Sequence, residues 1–158
     1  MTIALPEDKP RKSRARNSEP SPVSAEAVQQ TLAEYERLAI STGEWNGTDA
    51  PEFSQDGEAW TTAWGPFDRF DGDVSHPVFA RATVHRKGVR RPTVVVIRWD
   101  EALPAVDHWR ALWQRKPVTL FGAHALRTAL RRAFRDVIGD QYGPDEQHEP
   151  TTDEGTES

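Results

Sequence analysis

The stretch Thr119–Ile138 constrains the fold more than any other part of the chain. Phe121, Ala125, Ala129, Ala133 and Val137 recur at every fourth residue, and Leu126, Leu130 and Phe134 widen the stripe. A helix with so broad an apolar face must bury it against a second layer. Lys116 before Pro117 breaks any helix arriving from upstream, and Pro117 suits the first turn of the new one. His124, Arg127, Arg131 and Arg135 fall within roughly 80° on another side of the same helical wheel.

The second layer is predicted to be a sheet. Phe79–Lys87 alternates Ala80, Ala82 and Val84 with Arg81, Thr83 and His85, the period of a half-buried strand. Gly88–Arg91 reads as a turn. Thr93–Trp99 is a β-branched run that Pro92 can only precede. A first strand is expected at Glu58–Trp64, which holds two Trp and two Thr, while Gly47, Asp49 and Pro51 mark a loop. An amphipathic helix is expected over Ser24–Ile40, with Val28, Leu32, Tyr35 and Ala39 on one face and Ser24 as cap. A shorter helix is expected at Val106–Trp113. The order α-β-β-β-α predicts an α+β fold, an antiparallel three-stranded sheet flanked by helices. Residues 1–22 (basic and Pro-rich) and 144–158 (acidic) are too poor in apolar groups to offset the entropy of ordering, and are expected to be disordered tails. One domain over 23–143 remains, about 120 residues with a modest core.

Several function classes fall away. The 158 residues include no cysteine, which excludes disulfide scaffolds, Cys-ligated zinc and cysteine nucleophiles. No run nears ~18 apolar residues, so no ordinary membrane span is expected. The start lacks an apolar signal region, and a cytoplasmic location fits. Neither phosphate-binding glycine motif occurs, nor GxSxG, nor HExxH. A metal nuclease would pair an acid with Glu-x-Lys on a strand. Asp71 and Asp73 precede the segment ending His85-Arg86-Lys87, but the second carboxylate is a histidine. Asp100 and Glu101, if extended, point to opposite faces. No enzyme, catalytic residue, metal or cofactor is therefore expected.

Charge is sharply segregated. Residues 81–135 carry thirteen Lys/Arg and three acids, whereas 17–80 carry two basics and twelve acids, and 136–158 carry eight acids and no basic residue. A basic block hidden inside an acidic chain suggests a polyanion partner. Arg86, Lys87, Arg90, Arg91, Arg115, Lys116, Arg127, Arg131 and Arg135 are the expected phosphate contacts. A pairing of Arg131 with Asp100 or Glu101 inside the fold is the competing expectation for that residue. The acids of 136–158 are expected to compete with phosphate as a tethered tail, or to touch nothing. Trp45, Trp60, Trp64 and Trp99 read as core. Trp109 and Trp113, beside Arg110, Arg115 and Lys116, are open to core packing or to base stacking.

Several runs in order resemble a known family. They are Ala82-Thr-Val-His-Arg-Lys-Gly, Arg91-Pro92, Arg98-Trp99-Asp100-Glu101, then Trp113, Pro117 and Ala129-Leu130-Arg131-Arg132-Ala133-Phe134, then Gly139, Tyr142, Asp145 and Glu146. Upstream stand Tyr35-Glu36-Arg37-Leu38-Ala39 and Thr42-Gly43-Glu44-Trp45-Asn46-Gly47. Across about 31–146 the chain resembles the phage RecT/Bet family of single-strand annealing recombinases. The resemblance implies ATP-independent binding of single-stranded DNA, pairing of complementary strands in homologous recombination of phage type, and a homo-oligomeric ring or filament. It also implies a partner exonuclease or a full-length recombinase. The family's upstream helical segment has no counterpart in the Pro-rich start, and its mid-helix lysine is replaced at Ala123 and His124. These departures leave an alternative: a truncated relative that assembles with or inhibits a full-length recombinase.

Overall fold

The computed structural model describes residues 22–64 and 76–146. Residues 1–21 and 147–158 of the expected tails, and Asp71 and Asp73, lie outside these residues. Helix α1 (Ala25–Ser41) starts where Ser24 Oγ accepts the Ala27 N–H at 3.1 Å, which satisfies one donor left free at a helix start. Its buried face is Val28, Leu32, Tyr35 and Ala39, the predicted stripe. Strands β1 (Trp45–Thr48) and β2 (Glu52–Ser54) follow, then β3 (Phe79–Arg86) and β4 (Thr93–Arg98). Helices α2 (Trp99–Ala102), α3 (Asp107–Arg115), α4 (Pro117–Ala133) and α5 (Arg135–Ile138) come next, and a 3₁₀ turn at Pro144–Glu146 closes the described chain.

The fold is α+β with an antiparallel sheet, as expected, but the sheet has four strands rather than three. β1 and β2 lie one after the other along one edge of β3, opposite Val84–Arg86 and Phe79–Arg81, and β4 lines the other edge. The sheet is thus three rows wide, with the first row broken around Pro51, which has no N–H for a ladder. That row is built from the segment predicted as a loop. The predicted strand at Glu58–Trp64 reduces to a single bridge between Phe53 and Thr61. The reason is local: Asp56 Oδ1 accepts the backbone N–H groups of Glu58 and Ala59 and the Ser54 hydroxyl, so these groups serve a turn instead of a ladder.

Helix α4 is the spine. Ala80, Ala82, Val84 and Val95 on the inner sheet face and Val28, Leu32 and Tyr35 on α1 join it in one core. Gly122 lets Phe53 come close: a Cβ there would stand 3.1 Å from the Phe53 ring. Trp99, Trp113 and Phe121 pack at 5.3–6.0 Å between ring centroids. Trp109 is buried beside them, so α3 contributes core rather than a stacking platform for bases.

Two boundaries differ from expectation. The long helix breaks at Phe134, whose ring is buried, and resumes as α5. Arg86 Nη1 donates to the Ala133 carbonyl at 2.7 Å, supplying a partner for one of the carbonyls left open at the break. The acidic tail does not begin at 144 either. Asp145 is buried, and its segment is packed into the domain.

Candidate nucleic-acid interface

The nine predicted cations separate into two kinds. Three are structural, which corrects their assignment as phosphate contacts. Arg127 is fully buried and forks onto Asp145, with Nη1–Oδ1 at 2.7 Å and Nη2–Oδ2 at 3.2 Å. Arg131 pairs with Glu146 at 3.0 Å, not with Asp100 or Glu101, and also reaches the Gln141 carbonyl. Arg86 forks onto Asp136, pairs with Glu44 at 2.7 Å, and lies 4.5 Å from the centre of the Phe134 ring. Of the ridge read on the helical wheel, Arg127 and Arg131 are therefore taken up inside the fold, and Arg135 is left exposed. Arg127 and Arg131 anchor the chain that follows the helix through Asp145 and Glu146, and Arg86 on β3 holds Asp136, so these three acids are not free tail charges.

The other six, Lys87, Arg90, Arg91, Arg115, Lys116 and Arg135, are exposed. Among the described residues none of them makes an ion pair or side-chain hydrogen bond. They do not form one patch. β3 and α4 run the same way: Phe121, early in α4, lies 6.4 Å from Phe53, which pairs with Ala80, while Ala133 at the far end meets Arg86. Lys87, Arg90 and Arg91 on the β3–β4 turn thus share one end of the molecule with Arg135. Arg115 and Lys116 sit at the start of α4, about 23 Å away along a helix rising 1.5 Å per residue. Sequence reasoning missed Arg132, which is also exposed and free, in the last turn of α4. Its neighbours in the same basic run, Arg131 and Arg135, were the available signal.

The turn end is rigidly mounted. The β3–β4 pairing is regular from Phe79↔Arg98 to Val84↔Thr93, and Gly88 takes the positive φ of 83° that turns the chain. Lys87 N–H bonds to the Glu44 carbonyl at 2.7 Å, tying the turn to the approach to β1. Lys87, Arg90 and Arg91 consequently project from a turn tied to the sheet on both sides.

Along the middle of α4 lies a buried polar cluster. Asp145 Oδ2 also accepts the Trp113 Nε1–H at 2.9 Å, and Tyr35 Oη donates to the Gln141 carbonyl at 2.7 Å. Burial pushes the Glu146 carboxyl toward higher pKa, but adjacent His124, Arg127 and Arg131 outweigh it and hold the group well below the ordinary carboxylate range. In the unfolded chain Glu146 titrates near ~4.3. The unfolded state then binds the extra proton first as pH falls, so the stabilisation is complete above about pH 5 and is lost on further acidification toward the depressed folded value. Thermal midpoints recorded from pH 6 to pH 3 should fall, and the gap by which Glu146→Gln lies below the native protein at pH 6 should narrow by pH 3 without closing. A constant gap between the two would contradict this.

Among the described residues no group of His, Asp and Glu is placed to hold a metal ion, and no helix is long and apolar enough to cross a membrane. No protein-family model, curated protein or solved structure matches the chain.

Proposed function

We propose that the protein binds single-stranded DNA and pairs complementary strands without ATP, acting as a non-enzymatic annealing protein of phage-type recombination. The observation that carries this reading is the cluster of five unpaired cations, Lys87, Arg90, Arg91, Arg132 and Arg135, at one end of the sheet. Annealing is driven by base pairing itself. A protein that promotes it has to neutralise phosphate repulsion and leave base edges free. Cations on a hairpin turn and a helix end suit the first task. Contacts made by such cations go to phosphates, which leaves the base edges open for pairing. Contacts confined to the backbone predict little sequence preference.

Titration of an oligonucleotide of ~40 bases between 50 and 200 mM salt tests the reading. With four phosphates neutralised, log affinity should fall with log salt at a slope of about −3. Absence of binding at low salt, or binding indifferent to salt, overturns it.

A homo-oligomer belongs to the same proposal and has its own support. Among the described residues no strand pairs with the outer edge of β4. Trp99 N–H bonds to the Val78 carbonyl, so alternation turns the backbone groups of Val94 and Val96 outward. Their side chains are about half exposed, and no charge or proline interrupts Thr93–Ile97. Such an edge is a template for another strand. The same edge favours the second reading, a protein that joins a full-length recombinase. Sedimentation of the protein with and without DNA separates the two: growth of the particle on DNA supports the first, and a monomer under both conditions supports the second.

A further inference from the structure

The strap Gln141–Glu146 is held to the domain chiefly by charge and hydrogen bonds. Tyr35, Arg131, Arg127 and Trp113 grip it at Gln141 and Asp145, while the Tyr142 side chain stays largely exposed over Arg131. Its last group is the Glu146 carboxylate. Oε1 receives the Gly143 N–H at 2.6 Å and Arg131 Nη1 at 3.2 Å, with Arg127 Nη1 at 3.4 Å. Oε2 receives Arg131 Nη2 at 3.0 Å. His124 Nδ1 stands 2.9 Å from Oε2 but makes no aligned hydrogen bond, and among the described residues it is the one buried side-chain polar atom in that state.

Donors therefore meet both oxygens of this carboxylate, from the Gly143 N–H and both terminal nitrogens of Arg131, with Arg127 and His124 alongside. A tetrahedral oxyanion has further oxygens, one of which can align with the His124 imidazole, whose approach to Glu146 is close but not aligned. Arg127 is already neutralised by Asp145, whereas Arg131 and His124 have Glu146 as their acidic partner. Withdrawal of that side chain leaves a half-buried cationic site whose vacancy is unfavourable until an anion enters. The site opens to solvent past Arg131 and His124, whose side chains are 13% and 18% exposed.

We propose that His124, Arg127, Arg131 and the Gly143 N–H form a phosphate-binding cradle that Glu146 fills in cis as a displaceable plug. The ligand is a phosphate with free terminal oxygens, either inorganic phosphate or the end phosphate of a nucleic acid.

The full chain carrying Glu146→Ala tests this. Inorganic phosphate at about ten times its dissociation constant should raise the thermal midpoint of the variant by roughly 5–10 °C. The native protein, whose plug competes, should shift by less. Adding Arg131→Ala to the variant should abolish the response. Equal shifts in variant and native protein overturn the proposal, as does no shift, or a variant that stays unfolded in phosphate. Glu146→Gln, which keeps the shape of the plug and removes its charge, should bind phosphate more tightly than the native protein by calorimetry. Equal affinity again overturns it. A 5′-phosphorylated oligonucleotide compared with its 5′-hydroxyl twin then assigns the source. Tighter binding of the phosphorylated strand to Glu146→Ala identifies a nucleic-acid end, and equal binding identifies the free ion.

Discussion

Replacing Asp145 with alanine is expected to cost about 3–5 kcal/mol, because it strands a buried guanidinium. Arg127 has no exposed surface, and both of its terminal nitrogens bond to this one carboxylate. Trp113 Nε1–H loses its acceptor in the same step and is left buried and unsatisfied. At about 3–6 °C per kcal/mol for a domain of this size, the thermal midpoint should drop by at least ~9 °C. Circular dichroism on heating measures it. Arg127→Leu combined with Asp145→Leu should recover much of the loss, since a buried ion pair is often replaceable by apolar groups of similar volume. A midpoint unchanged in Asp145→Ala would mean that Pro144–Glu146 is peripheral, and would return Arg127 to the pool of candidate phosphate contacts.

The largest expected effect on DNA binding comes from the opposite kind of residue. Changing Lys87, Arg90 and Arg91 together to alanine should flatten the salt slope by about 2 and weaken binding by roughly 100-fold or more at 50 mM salt. The thermal midpoint should hold, because these side chains are exposed and unpaired in the fold. The same treatment of Arg115 and Lys116, at the far end of α4, should cost less, since those two cations lack the neighbours that surround the turn. Fluorescence anisotropy over a salt series reads both. An intact slope in the triple variant would remove the turn from the interface. A loss of binding accompanied by a lowered midpoint would show that the turn acts through stability.

These opposed outcomes follow from one sequence-level resemblance. On a helical wheel Arg127, Arg131 and Arg135 look alike, spaced by four along one ridge. In the fold Arg127 is covered, Arg131 is nearly so, and Arg135 is free. Periodicity states which side chains share a face and is silent on what covers that face. Here the cover is Asp145 and Glu146, which stand just past the helix in a stretch whose composition resembles a solvated tail. Gly139 and Tyr142 between them were the one hint that the chain turns back.

The strands divide in the same way. The β3–β4 hairpin was legible because alternation, the turn and Pro92 are all local. β1 and β2 were not, since Asn46, Gly47 and the residues around Pro51 carry little strand preference of their own. They become strands because β3 offers unpaired backbone groups along that edge, and a buried backbone group without a partner is costly. The broken row satisfies that demand with whatever sequence is at hand.

What the sequence determined by itself was therefore everything encoded between near neighbours: the apolar stripes of α1 and α4, the break at Pro117, the hairpin, and the excess of positive charge in 81–135. Only the tertiary structure decided which of those charges are available. Arg86, Arg127 and Arg131 meet their acids across 50, 18 and 15 positions of chain respectively. No local pattern carries pairing at such range. It is settled by which groups must be neutralised once the core has closed around them.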